Sequence, residues 1–254
     1  MSGQVAVVGL GPGADRLITP EARDALAAAS DILGYGPYVA RVAAHAGQRV
    51  HASDNREEIA RATHALELAA EGRRVAVVSS GDPGVFAMAA ALFEALEDGP
   101  EAWRALDIAV LPGITAMLAA AARAGAPLGH DFCAINLSDN LKPQALIERR
   151  LRLAAQGDFA MAFYNPRSKA RPEGFARALD LLREVCGPER LVIFARAVAT
   201  EDEALAVTTL GQATPEMADM RTVVIVGSSR TRLIAREGRA PWVYTPRSAT
   251  EGAA

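Results

Sequence analysis

Aromatic residues make up only 5% of this 254-residue chain, and there are only two cysteines. An aromatic platform for single-stranded nucleic acid needs several exposed rings, so the first scarcity argues against that class. Cys133 and Cys186 lie far apart and form no CxxC pair, so two free thiols in a reducing compartment are expected, with no metal site. Charge of one sign is lacking too. The 27 Lys and Arg against 30 Asp and Glu leave a net charge of -3, which offers no bulk attraction to nucleic acid or an anionic membrane. The first apolar run ends at Gly9 with no basic stretch before it, so neither a signal peptide nor a membrane span is expected, and the cytoplasm is the default.

What the chain does have is a hydrophobic half, arranged as short apolar runs alternating with helix-like segments. Val5–Val8 predicts a buried strand followed by a glycine loop. Thr19-Pro20-Glu21 predicts a helix start, with a capping hydroxyl, a proline in the first turn and an acid at the positive end. Strands follow around Ile32–Leu33 and Val50. A helix is predicted over Glu57–Glu71, with Ile59, Ala62, Leu66 and Ala69–Ala70 as its apolar positions and Gly72 as its stop. Val75–Val78 and Ile108–Leu111 predict strands, Val85–Leu96 and Thr115–Arg123 helices. This alternation predicts a mostly parallel sheet covered by helices. Gly125–Gly129 interrupts it and is expected to be a linker. Beyond it, strands at Phe132–Leu137, Phe159–Tyr164, Leu191–Phe194, Ala204–Thr209 and Val223–Val226 flank helices at Pro143–Ala154 and Pro172–Val185. The last strands leave no room for helices between them, so this second sheet is expected to be mixed. The expected organisation is an α/β domain over 1–127, a second α/β domain over 128–245, and a disordered tail over 246–254.

Three glycine-rich segments follow strands of the first domain. Gly9–Ala14 reads as GxGxxA, a variant of the dinucleotide fingerprint. Pro12 removes a donor from that loop, the next helix starts only at Thr19, and Asp31 stands before its apolar run where a ribose-binding acid stands after it. A tight turn is an equal reading. Ser79–Phe86 places Gly81, Asp82 and Gly84 after the Val75–Val78 strand; Asp82 offers acceptors to a ligand or caps a helix starting near Val85. Leu111–Ala116 opens a helix with Thr115 as a possible cap. In a parallel sheet all three loops leave the same edge, where ligands of such sheets collect. None carries the cation a phosphate would want.

In this order and spacing, Gly9–Gly13 with Leu17-Ile18-Thr19, Gly81-Asp82-Pro83, and Pro112–Ala116 resemble the tetrapyrrole methylase family. Phe163–Pro166, Thr208–Leu210 and Val223–Gly227 continue the likeness, which spans roughly Val5 to Arg232. Gly34-Tyr35 with Tyr38, Ser79–Met88, Pro127–Phe132, Leu137–Asp139 and Tyr164–Lys169 resemble the branch that methylates a corrin precursor with ring contraction. One departure stands out: after the Leu191–Phe194 strand the family usually has an Asn and a Gly, whereas this chain has Arg196-Ala197-Val198-Ala199-Thr200.

The resemblance implies two α/β domains with the active site in the cleft between them, usually a homodimer, and S-adenosyl-L-methionine as cofactor. It implies cofactor contacts at Gly11, Pro12, Gly81, Asp82, Val85, Thr115, Ala116, Asn165 and backbone near Val198. The corrin-precursor substrate carries carboxylates, for which Arg167, Lys169 and Arg171 are candidates; a solvated helix entrance is their alternative. Tyr35 is a candidate for the macrocycle face, with core packing as the alternative for it and for Tyr38. Ring contraction calls for an acid–base group. Asp139 and His130 are candidates, against a turn-forming aspartate and a local cap. The rival readings are another methylase of the family, such as one acting on uroporphyrinogen-III, a dinucleotide-dependent reductase, and a tetrapyrrole-binding module without turnover.

Overall fold

The computed structural model describes residues 3–168 and 172–248. The chain divides into two compact units, Met1–Ala116 and Met117–Ala254.

The first unit contains strands β1 (Gln4–Gly9), β2 (Asp31–Tyr35), β3 (Arg49–Ser53), β4 (Arg74–Ser79) and β5 (Asp107–Leu111). They form one parallel sheet in the order β3-β2-β4-β1-β5. Between them run helices α1 (Pro20–Ala28), α2 (Gly36–Val39), α3 (Glu58–Ala70) and α4 (Met88–Asp98). Strand alternation sends Val5, Val7, Val75 and Val77 to the face covered by α3 and α4, where Leu66 and Leu92 are fully buried. Ala6, Val8, Ala76 and Val78 face α1, packing with Ala22, Leu26 and Val39. The two-faced burial explains the near-continuous Val/Ala runs of β1 and β4.

The Thr19 hydroxyl caps α1 by accepting from the Ala22 N–H at 3.2 Å, with Pro20 in the first turn. Gly72 follows α3 in the left-handed region at φ 89°, as a helix stop requires. Two apolar positions assigned to α3 are corrected: Ile59 and Ala70 are exposed. The whole first turn of α3 lies in solvent, and packing begins at Arg61 and Ala62. Helix α4 starts at Met88, three residues after Val85, because Phe86 is left-handed and Ala87 extended, which keeps Val85–Ala87 in the glycine loop.

Helix α5 (Ala116–Ala124) leads into the second unit, whose strands are β6 (Gly125–Ala126), β7 (Phe132–Asn136), β8 (Ala160–Tyr164), β9 (Leu191–Arg196), β10 (Ala204–Thr209), β11 (Thr222–Val226), β12 (Arg232–Arg236) and β13 (Arg239–Tyr244), with helices α6 (Gln144–Gln156) and α7 (Glu173–Cys186). The main sheet runs β10-β9-β11-β8-β7; β7 and β8 are parallel and the other pairings antiparallel, the mixed sheet expected. Ile147, Leu151, Leu179 and Leu182 of α6 and α7 pack with Met161, Phe163, Phe194 and Val224 in one core. Gly125–Ala126, expected within a linker, instead pairs with β13 beside the β12–β13 hairpin. That hairpin was not anticipated. Leu233, Ile234 and Trp242 are exposed, so its pattern shows no clean alternation. The end of the expected tail, 249–254, lies outside the described residues.

Candidate functional site

Because β1, β4 and β5 are parallel neighbours, the three glycine loops leave one edge of the sheet together. Their backbones touch. Gly11 and Gly81 exchange hydrogen bonds of 3.1 and 2.9 Å, and the Leu10 N–H donates to the Ser79 carbonyl at 2.8 Å. Both glycines sit at positive φ, 65° and 66°, where an L side chain is strained. A Cβ on Gly113 would stand 2.1 Å from the Gly81 carbonyl oxygen, so only glycine admits this approach. A Cβ on Gly81 would lie 3.6 Å from the Thr115 Cα. The structure thus gathers Gly11, Pro12, Gly81, Asp82, Val85, Thr115 and Ala116 along one edge. Tyr35, ending β2, lies on the same edge of the same sheet.

Asp82 does not cap α4. One carboxylate oxygen accepts from the Gly84 N–H at 2.8 Å, and the other accepts from the Gly113 N–H at 3.0 Å, so the side chain fastens the second loop to the third. Sequence reasoning missed Arg41, just after α2. Its half-buried guanidinium donates to the carbonyls of Leu10 at 2.7 Å, Gly13 at 2.9 Å and Gly11 at 3.3 Å. Burial pushes its pKa down, opposed by the nearby Asp15 carboxylate. A lone arginine behind a glycine loop belongs to no short motif, so no sequence signal pointed to it. Tyr38 packs edge-on to Tyr35 at 5.2 Å, and burial raises its pKa, consistent with a packing role.

Asp31 stands at the opposite edge. It begins β2, is fully buried, and accepts from His51 at 2.9 Å, Ser30 at 2.8 Å and Arg73 at 3.1 Å. Burial alone would raise its pKa; the three donors and the Arg73 charge outweigh that and hold it below the usual carboxylate value. It is a structural anion, remote from the glycine loops, and no ribose partner.

In the second unit β7, β8 and β9 run in one direction, since β11 is antiparallel to both β8 and β9. Asp139, Asn165, Arg167 and Val198 therefore follow the carboxyl ends of strands on one edge. The Asn165 amide donates to the Asn136 side-chain oxygen at 3.2 Å. The Tyr164 hydroxyl accepts from the Met117 N–H at 3.1 Å. Arg167 keeps a long contact of 3.8 Å to Glu216, and its Nε is buried with no hydrogen-bond partner among the described residues. Lys169 and Arg171 lie outside the described residues.

Backbone strain concentrates on the same edge. Asn165, Ala197 and Ala199 have φ of 51°, 48° and 62°. Asparagine tolerates this region, but alanine does not favour it. The departure from the family pattern therefore falls where Asn and Gly would be at ease. The Ala199 N–H donates to Glu203, whose carboxylate also receives Arg123 at 2.9 Å, so the strained turn is held in place.

His130 does not join this edge. It precedes β7, roughly 17 Å of strand from the loop that holds Asp139, and its Nδ1 accepts from the Asp131 N–H at 2.7 Å. That contact is the local cap offered as the alternative for this residue. Asp139 is exposed in that loop. Both cysteines are free and half-buried. Among the described residues, no cluster of three or more His, Cys, Asp or Glu could hold a metal. No described helix is long and apolar enough to cross a membrane.

Comparisons with known proteins bear on what this edge serves. Residues 4–214 match the model of the tetrapyrrole (corrin/porphyrin) methylases. A precorrin-3B C(17)-methyltransferase from Sinorhizobium sp is 54% identical over 97% of this chain and 97% of its own. The crystal structure of the methyltransferase CobJ superposes with a TM-score of 0.92 at 67% identity, covering 96% of this chain and all of that one. A Thermus thermophilus uroporphyrin-III C-methyl transferase, crystallised with S-adenosyl homocysteine, shares the fold at 23% identity and a TM-score of 0.68, over 89% of this chain and 97% of that one. A match across most of the chain, with relatives of this identity and coverage, settles membership: this protein belongs to the tetrapyrrole methylase family and is a methyltransferase.

Proposed function

We propose that this protein uses S-adenosyl-L-methionine to methylate precorrin-3B at C17, with contraction of the corrin ring, in cobalamin biosynthesis. The observation that carries the cofactor reading is the meeting of three glycine-rich strand-end segments, Gly9–Ala14, Ser79–Phe86 and Leu111–Ala116, whose single charged side chain is Asp82. A phosphate would want cations there. A sulfonium-bearing nucleoside wants backbone donors and acceptors, small side chains and no facing cation, and the donor set fits it. When bound, the sulfonium supplies an already electrophilic methyl group.

The chain's task is then alignment, an entropic contribution to rate. Gly11, Pro12, Gly81, Asp82, Val85, Thr115 and Ala116 would bind the cofactor, with Asn165 and backbone at Val198 as contacts from the second unit. The left-handed backbone at Asn165, Ala197 and Ala199 supports this, since stored strain clusters at functional sites. Arg167, whose buried Nε has no hydrogen-bond partner among the described residues, would take a substrate carboxylate, alongside Lys169 and Arg171, and Tyr35 would face the macrocycle. Asp139 and His130 are the candidates for the acid–base step. The family resemblance supports a homodimer, and the cytoplasm is the compartment expected from the sequence.

Turnover tests the reading. Purified protein is incubated with radiolabelled S-adenosyl-L-methionine and, separately, precorrin-3B, its cobalt-containing counterpart and uroporphyrinogen-III. Label should enter the first or second. Label entering only uroporphyrinogen-III would move the protein to another branch of its family. Binding of tetrapyrrole with no transfer to any would leave a binding module.

A further inference from the structure

We infer that Arg41 is a positioning residue for the cofactor, acting by turning the peptide between Gly13 and Ala14 so that the Ala14 N–H is presented as a donor. The inference rests on the S-adenosyl-L-methionine reading above.

The argument is geometric. Among the described residues every peptide bond is trans, so the carbonyl and N–H of one peptide unit point in opposite directions. Arg41 collects the Leu10 carbonyl, which sends the Gly11 N–H the other way, and that N–H does meet the Gly81 carbonyl at 3.1 Å. Arg41 also collects the Gly13 carbonyl at 2.9 Å. The Ala14 N–H must therefore point away from Arg41, and it donates to no group among the described residues. Ala14 is itself only half-buried. A loop bonded through carbonyls on one side and leaving a free amide on the other is organised to bind an acceptor.

The cation contributes in a second way. The guanidinium serves the three carbonyls from two terminal nitrogens held in one rigid plane, Nη1 to Gly11 and Nη2 to Leu10 and Gly13, a fixed spacing that the single nitrogen of an ammonium lacks. Between the Gly11 and Ala14 amides, Pro12 carries no donor and fixes its own φ, and the Gly13 N–H, like that of Ala14, donates to no group among the described residues; Arg41 holds the carbonyl of the peptide that carries the Ala14 N–H. Arg41 thus fixes the Gly13 carbonyl, which lies beyond the Gly11–Gly81 bridge. It touches neither cofactor nor substrate in this account; it acts through the backbone.

Three single variants, Ala14→Pro, Arg41→Lys and Arg41→Ala, isolate the idea. Ala14→Pro removes the donor and leaves Arg41 in place, and Ala14 already has φ -68°, the value proline adopts. Arg41→Lys keeps the charge and loses the fork. Titration calorimetry with S-adenosyl homocysteine, well below the melting temperature of each protein, should show Kd raised about 10-fold by either change, the size of one lost ligand hydrogen bond. The double variant should be no weaker than the weaker single one, because both act on the same donor. Millimolar methylguanidinium should restore part of the affinity of Arg41→Ala and none of that of Ala14→Pro. An Arg41 variant with lowered melting temperature but wild-type Kd would overturn the inference, as would losses that add in the double variant. A wild-type protein that binds neither S-adenosyl homocysteine nor S-adenosyl-L-methionine would overturn the functional reading, and this inference with it.

Discussion

Individual residues divide into those that shape the site and those that would touch a ligand. Asp82 does the first whatever else it does, because both its oxygens are taken by backbone N–H groups. Replacing Asp82 with Ala leaves the Gly84 and Gly113 amides without their charged acceptor. Stability should fall by about 1.5–3 kcal/mol, and cofactor affinity should fall with it, since the third loop loses its tether. Urea denaturation and cofactor titration on the same sample check this; a cofactor Kd unchanged in the folded variant would show that the tether is not needed for binding. Ala199 offers the opposite experiment. Its φ of 62° costs an L residue about 1 kcal/mol, so Ala199→Gly should stabilise the protein by somewhat under 1 kcal/mol after glycine's greater unfolded-state entropy is counted. A loss of stability in the same denaturation assay would show that the alanine methyl packs better than its backbone suffers.

Elements show how far the sequence could be read. The valine runs of β1 and β4 and the periodicity of the helices between them were enough for a parallel sheet, because burial on both faces leaves a plain apolar signature. The glycine loops were legible as a group, since each alone could be a turn but three after strands of one parallel sheet leave the same edge. Arg41 was not, because its partners are carbonyls, which any sequence supplies. The β12–β13 hairpin was also hidden: its strands expose Leu233, Ile234 and Trp242, so neither alternation nor a buried run marks them. The start of α4 was misplaced because the left-handed backbone at Phe86 has no signal in a phenylalanine.

Asp31 joins three elements, beginning β2 while bonding His51 of β3 and Arg73 just before β4. Its folded pKa is depressed, so its contribution to stability is complete above the unfolded value of about 3.9 and is lost as pH falls through the lower folded value. Asp31→Asn should therefore lower stability at neutral pH and flatten the acid limb of the stability profile below about pH 4. Denaturant midpoints from pH 2.5 to 7 check it; an acid limb identical to wild type would remove Asp31 from the account.

At the scale of the whole molecule, two α/β units of different strand topology each place their candidate residues on a carboxyl edge, as open sheets with ligands do. In the first unit that edge is built from backbone and small side chains. In the second it carries Asn165, Arg167 and the strained turn at Val198. This division matches a reaction in which a cofactor brings the reactive group and the protein supplies alignment and recognition of an anionic macrocycle.

The most direct measurement is the fate of the methyl carbon. The protein is incubated with precorrin-3B and S-adenosyl-L-methionine labelled with 13C at the methyl group, and the product is examined by NMR and mass spectrometry. The account predicts a single new 13C methyl resonance at C17 of a ring-contracted product, with one equivalent of S-adenosyl homocysteine formed. A label at another ring carbon, or homocysteine product without a labelled tetrapyrrole, would contradict it.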